Sequence, residues 1–120
     1  MKTENIKFKA KQLNSGKWFE GDLVRLGNRV CIGGDHIKDG ITDVDPSTVC
    51  QFTGLTDYDG KNLYEGDIIS FSDSYNQVVW EDDLCAFVLV DVESHSYYVH
   101  CDILKNCPFY IVGNKFDKKK

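Results

Sequence analysis

The sequence has no apolar run long enough to cross a bilayer as a helix: the longest, Leu84 to Val90, is seven residues, against the roughly 18 that a spanning helix needs. Residues Met1 to Phe8 carry alternating charge in place of an apolar segment, so no secretory leader is expected. Helical periodicity is almost missing. No window longer than about ten residues keeps apolar groups at i, i+3, i+4 and i+7 without a Gly, a Pro or a β-branched cluster intervening. The five cysteines, Cys31, Cys50, Cys85, Cys101 and Cys107, are odd in number and include no Cys-x-x-Cys pair, which suits a reducing compartment better than a disulfide framework. These absences exclude a membrane-spanning helix and a helical bundle, and they point to a cytoplasmic, soluble, β-rich chain.

Positive charge is also scarce. Fourteen Lys and Arg face nineteen Asp and Glu, a formal charge of −5, so the surface as a whole repels phosphate backbones. The obvious basic cluster, Lys115 with Lys118, Lys119 and Lys120, is expected to be a solvated tail. At 120 residues with 42% hydrophobic side chains, among them seven Phe, six Tyr and two Trp, the chain can bury one core without metal or disulfide staples.

Strand signals are frequent. Short runs rich in Val, Ile, Phe, Tyr, Trp and Thr are bounded by Gly, Asn, Asp and Ser, the spacing of a small antiparallel barrel or sandwich. The expected fold is mainly β with little helix: an N-terminal β segment over residues 1–48, an SH3-like barrel half over 49–115, and a basic tail over 116–120. Residues 33–43 read as an exposed loop. A hairpin turning near Asp82-Asp83 leads into Cys85 to Asp91, a strand apolar on both faces and therefore central or covered. Asp102 to Asn106 read as one helical turn with Asp102 as its N-cap.

An internal repeat is the most informative feature. Asn14-Ser15-Gly16-Lys17-Trp18-Phe19-Glu20-Gly21-Asp22-Leu23-Val24 is echoed by Asp59-Gly60-Lys61-Asn62-Leu63-Tyr64-Glu65-Gly66-Asp67-Ile68-Ile69. Gly21 and Gly66 are expected to take positive φ and reverse the chain, with Asp22 and Asp67 binding a nearby backbone N–H to start the next strand. Asp45-Pro46 presets another tight turn, because Pro pushes the preceding residue to an extended conformation. The structural turn signature is thus Glu20, Gly21, Asp22, Asp45, Pro46, Gly54, Gly60, Glu65, Gly66 and Asp67.

The segment from Val44 to Ile69, including Gln51-Phe52-Thr53-Gly54-Leu55-Thr56-Asp57 and Leu63-Tyr64-Glu65-Gly66-Asp67-Ile68-Ile69, closely resembles the signature of the YopX family of phage and prophage proteins. Ile6-Lys7-Phe8-Lys9-Ala10, Trp18-Phe19-Glu20-Gly21-Asp22-Leu23, Val78-Val79-Trp80, Phe87-Val88-Leu89 and Ile111-Val112-Gly113-Asn114 resemble its other landmarks in order. The resemblance implies a β-rich, partly SH3-like protein of phages and mobile elements in a bacterial host cell, prone to self-association and without an agreed molecular function. It carries no catalytic residue across. Cys50 and Phe52 stand where the family tends to a small residue and a Tyr, and neither change disturbs the turns.

Chemistry-bearing side chains are present but not in the patterns that chemistry needs. His100-Cys101, Cys107, His95 and Cys85 lack zinc spacing, since adjacent strand residues point to opposite faces. No nucleophile elbow or catalytic-cysteine signature surrounds any Ser or Cys. Gly27-Asn28 and Gly33-Gly34 are not followed by a helix or a Gly-Lys-Ser/Thr step, so they read as hairpin turns. The expectation is therefore no catalytic residue, no metal, no cofactor, and a non-enzymatic module that binds a protein partner or a second copy of itself. The alternative is an SH3-like nucleic-acid binder, with Trp18, Tyr58, Tyr75, Tyr97 and Tyr98 as stacking surfaces, a reading that the acidic balance disfavours.

Overall fold

β-branched and aromatic residues, cut by Gly and Asp every few positions, produce eleven strands in the computed structural model, which describes residues 2–95 and 98–117. The strands form two antiparallel sheets, and among the described residues the helical segments between them are short 3₁₀ turns. The chain divides into two units, Met1–Phe52 and Thr53–Lys120.

In the first unit, β1 (Phe8–Lys11), β2 (Trp18–Leu26), β3 (Arg29–Gly33) and β4 (Ile41–Asp43) are ordered β4-β3-β2-β1, and the first residues of β5 (Cys50–Thr56) pair with β1. Phe8 and Ala10 alternate with Lys9 and Lys11, so one face of β1 turns to a core of Ala10, Ile32, Ile37 and Val44. A single bridge, Gln12 to Val44, ties the end of β1 to the end of β4. The Leu13 N–H donates to the Asp43 carbonyl at 3.2 Å, and the Asp45 N–H to that of Lys11 at 2.9 Å.

The second unit continues β5 and adds β6 (Asn62–Tyr64), β7 (Asp67–Phe71), β8 (Ser74–Glu81), β9 (Ala86–Asp91), β10 (Tyr98–His100) and β11 (Tyr110–Asn114). The rest of β5 pairs with β6, and the others form a five-stranded sheet ordered β10-β9-β8-β7-β11. Strand β9 lies between β8 and β10, as its apolar character on both faces predicts. Leu63, Ile69, Val78, Leu89, Cys101, Leu104 and Phe109 form the core of this unit. The sheet is open, its end strands β10 and β11 each pairing with one neighbour. The mainly β, antiparallel expectation holds, while barrel closure over residues 49–115 does not form.

Three local expectations are corrected. Residues 33–43 are not a plain loop: Ile37 is buried in the core, and Ile41 to Asp43 pair with Gly33 to Cys31. Three residues are too short a run to register as a strand. The turn near Asp102 begins at Cys101, with no side-chain cap, because Cys101 and Leu104 are the residues that anchor it in the core. Gly21 takes the expected positive φ, +158°, but does not reverse the chain. It lies inside β2, which pairs with β1 from Trp18 to Gly21 and with β3 from Asp22 to Leu26. A Cβ there would run into the Gly33 carbonyl oxygen and come within 3.0 Å of Ile32 Cγ2, so glycine is required for the close approach of a neighbouring strand.

Candidate interaction surface

The second Glu-Gly-Asp step does what its sequence predicts. Gly66 has φ +86° between β6 and β7, and its N–H donates to the Val78 carbonyl at 2.8 Å. Asp67 is 1% exposed. One carboxylate oxygen accepts the Tyr64 N–H at 2.8 Å, and the other accepts the Asn114 side-chain amide at 2.9 Å. A buried carboxylate is tolerable only when hydrogen bonds replace its lost water, and this one is used up in joining β6, β7 and β11.

Asp57, also buried, was not among the predicted turn residues. It accepts N–H groups from Asp59 at 3.0 Å and Lys61 at 2.8 Å, closing the turn at Gly60 (φ +82°). Its other oxygen accepts the Ile111 N–H at 3.1 Å. Together with the Tyr58 N–H, which donates to the Phe109 carbonyl at 3.0 Å, it occupies part of the outer edge of β11. Covering an edge in this way blocks strand addition there. Gly54 has φ +92° within β5.

In the first unit Asp22 is exposed. Asp45 is extended (φ −73°, ψ 114°) and caps the turn Pro46–Thr48 by accepting the Ser47 N–H at 3.0 Å, as the Asp-Pro pair predicts. Asp43 gathers the Cys31 thiol at 3.0 Å and the Arg29 guanidinium at 2.9 Å on one oxygen. The thiol hydrogen bond, followed by the Arg29 side chain, holds the Asp43 carboxyl below its ordinary value, while burial and then Asp43 push the Cys31 thiol up. Cys101 is pushed up to about 12 by burial and by Asp102. Both thiols are therefore protonated at neutral pH and are poor nucleophiles.

Tyr58 and Tyr75, the two aromatic residues proposed for stacking whose side chains are described in the second unit, make no ring contact with each other. Tyr58 packs against Tyr110, ring centroids 5.6 Å apart, and Tyr75 stands exposed on β8 without a ring neighbour among the described residues. Tyr98 opens β10, and Tyr97 and the lysines 118–120 lie outside the described residues. Trp18 belongs to the first unit, where the amines of Lys9 and Lys11 lie 4.6 and 5.5 Å from its ring centroid. The Lys7 amine lies 4.7 Å from the Phe52 ring. Sequence reading passed over this lysine strip because net charge hides its distribution; the Lys-x-Lys-x-Lys alternation on a strand was the available signal.

A second surface also escaped the sequence reading. Trp80 on β8 pairs in register with Phe87 on β9, ring centroids 5.1 Å apart and nearly perpendicular. The indole N–H donates to Asp82 at 2.7 Å, and Glu81 accepts the Asp83 N–H at the start of the turn Asp82–Leu84. A hollow of this unit, about 360 Å³ between Phe71, Asn76, Leu89, Asp91, Val99 and Ile103, has its polar groups engaged locally. Asp91 accepts the N–H groups of Ser94 and Glu93, which in that order hold its carboxyl low, and the Asn76 amide donates to Ser74. Among the described residues no three His, Cys, Asp or Glu side chains converge as metal ligands.

The family model described as YopX protein matches residues 2–119. No curated protein matches the chain.

Proposed function

Because the chain belongs to the YopX family, we propose that it is a phage- or prophage-encoded, non-enzymatic module that works through protein contacts, first of all with copies of itself, in the cytoplasm of a bacterial host. The observation that carries this reading is the end of the β8–β9 hairpin. Val78 and Leu89 face each other in the core, and the next pair on the same face is Trp80 and Phe87. There the cover ends: Trp80 is 41% exposed and Leu84, at the turn, 51%. The core-facing side of the sheet thus continues past the residues available to bury it, and apolar surface of this kind gains from a partner that removes it from water.

Light scattering at micromolar concentration tests the reading. The expected result is a mass above the 13.7 kDa of one chain, rising with concentration; a monodisperse monomer overturns self-association. The lysine strip favours a second reading, nucleic-acid binding. A mobility shift with a single-stranded oligonucleotide at low salt tests it, since such binding falls steeply as salt is added.

A further inference from the structure

We propose that self-association is head-to-tail, the acidic end of the β8–β9 hairpin of one copy docking on the lysine strip of β1 in the next. The inference rests on the self-association reading and says which surfaces meet.

Charge is unevenly divided. Residues 1–52 hold eight Lys and Arg against seven Asp and Glu, whereas residues 53–120 hold six against twelve. The hairpin end concentrates the negative part: Glu81, Asp82 and Asp83 follow one another beside the exposed Trp80 and Leu84. A two-fold contact through this end would set carboxylates against carboxylates. A heterologous contact sets them against amines instead.

The strip has the matching form. Lys9 and Lys11 on β1 lie on the face opposite Phe8 and Ala10, which enter the core, and Lys7, just before the strand, continues their alternation with its carbonyl accepting the Phe52 N–H. Their amines are held over the rings of Phe52 and Trp18, which lowers the side-chain entropy lost on docking. Glu20, in register with Lys9, offsets part of the charge. Lysine stems and the half-buried Trp18 ring offer apolar surface to Trp80 and Leu84 while the positive strip faces the carboxylates. Lysines over the rings also occupy the faces on which a base would stack, which favours a second copy over a nucleic acid.

Reciprocal charge reversal tests the proposal. One variant carries Lys7→Glu, Lys9→Glu and Lys11→Glu; the other carries Glu81→Lys, Asp82→Lys and Asp83→Lys. Wild type is expected to associate in low salt and to dissociate as salt rises. Each variant alone associates more than about tenfold more weakly, and an equimolar mixture recovers association, because each strip then faces a tip of opposite sign. Circular dichroism checks the fold, and the milder Lys7→Gln, Lys9→Gln, Lys11→Gln variant replaces the first if that one unfolds. Variants that associate like wild type overturn the docking mode while leaving self-association standing. A monomeric wild type overturns both. Loss of oligonucleotide binding in the strip variant with association unchanged assigns the strip to nucleic acid and overturns the proposal.

Discussion

The two Glu-Gly-Asp steps use the same three residues in two different ways. At Glu20-Gly21-Asp22 the strand runs on, the glycine lies beneath the Gly33 carbonyl, and the aspartate faces solvent. At Glu65-Gly66-Asp67 the chain turns, the glycine takes φ +86°, and the aspartate is buried against Tyr64 and Asn114. In the first copy glycine is needed for space; in the second it is needed for conformation. The aspartate acquires a structural role only where a distant residue, here Asn114, meets it.

Substitution at the two glycines separates these causes and gives the largest effects. Gly21→Val is expected to destabilise by about 3 kcal/mol, since the added carbon meets backbone that cannot give way. Gly21→Asn should be no milder, because the obstruction is at Cβ. Gly66→Val should cost about 1–2 kcal/mol through its left-handed backbone, and Gly66→Asn clearly less, because Asn tolerates that region. Urea unfolding midpoints measure all four. Equal responses to Asn at the two sites would erase the distinction.

Asp57→Ala comes next. It leaves the Lys61, Asp59 and Ile111 N–H groups without their acceptor, and about 2 kcal/mol is expected from unfolding curves. It should also speed hydrogen exchange at Ile111, a change that a purely local turn residue would not produce.

The smallest effect belongs to Asp43 in the first unit. Its carboxyl is held below the ordinary 3.8 by Cys31 and Arg29. A carboxyl lowered in the folded state stabilises above its unfolded value and loses that contribution as pH falls through the folded one. The stability of wild type should therefore decline as pH falls below the ordinary carboxylate range, and Asp43→Asn should flatten that decline slightly. Parallel curves for the two proteins would remove Asp43 from the acid response.

Much of the fold was legible where local chemistry decides it. Asn62 to Tyr64 and Asp67 to Phe71, on either side of the second Glu-Gly-Asp step, are strands, the Asp45-Pro46 turn has its predicted cap, and the hairpin turns at Asp82. What was illegible depends on distant partners. Asp67 and Asn114 are 47 residues apart, and Asp57 and Ile111 are 54 apart. No local pattern announces either pair. The stacking set Trp18, Tyr58 and Tyr75 was chosen by residue type, and type does not say that Trp18 lies under lysines or that Tyr58 turns to Tyr110. No local pattern marks Trp80 as exposed, because its exposure depends on where the cover over β8 stops.

Paired unfolding of Asp22→Ala and Asp67→Ala tests most directly whether the repeated motif holds strands together. Asp67→Ala strands two buried donors and is expected to lose about 2–4 kcal/mol, while Asp22→Ala stays within about 0.5 kcal/mol of wild type. Equal losses at the two positions, or an Asp67→Ala protein as stable as wild type, would contradict the account.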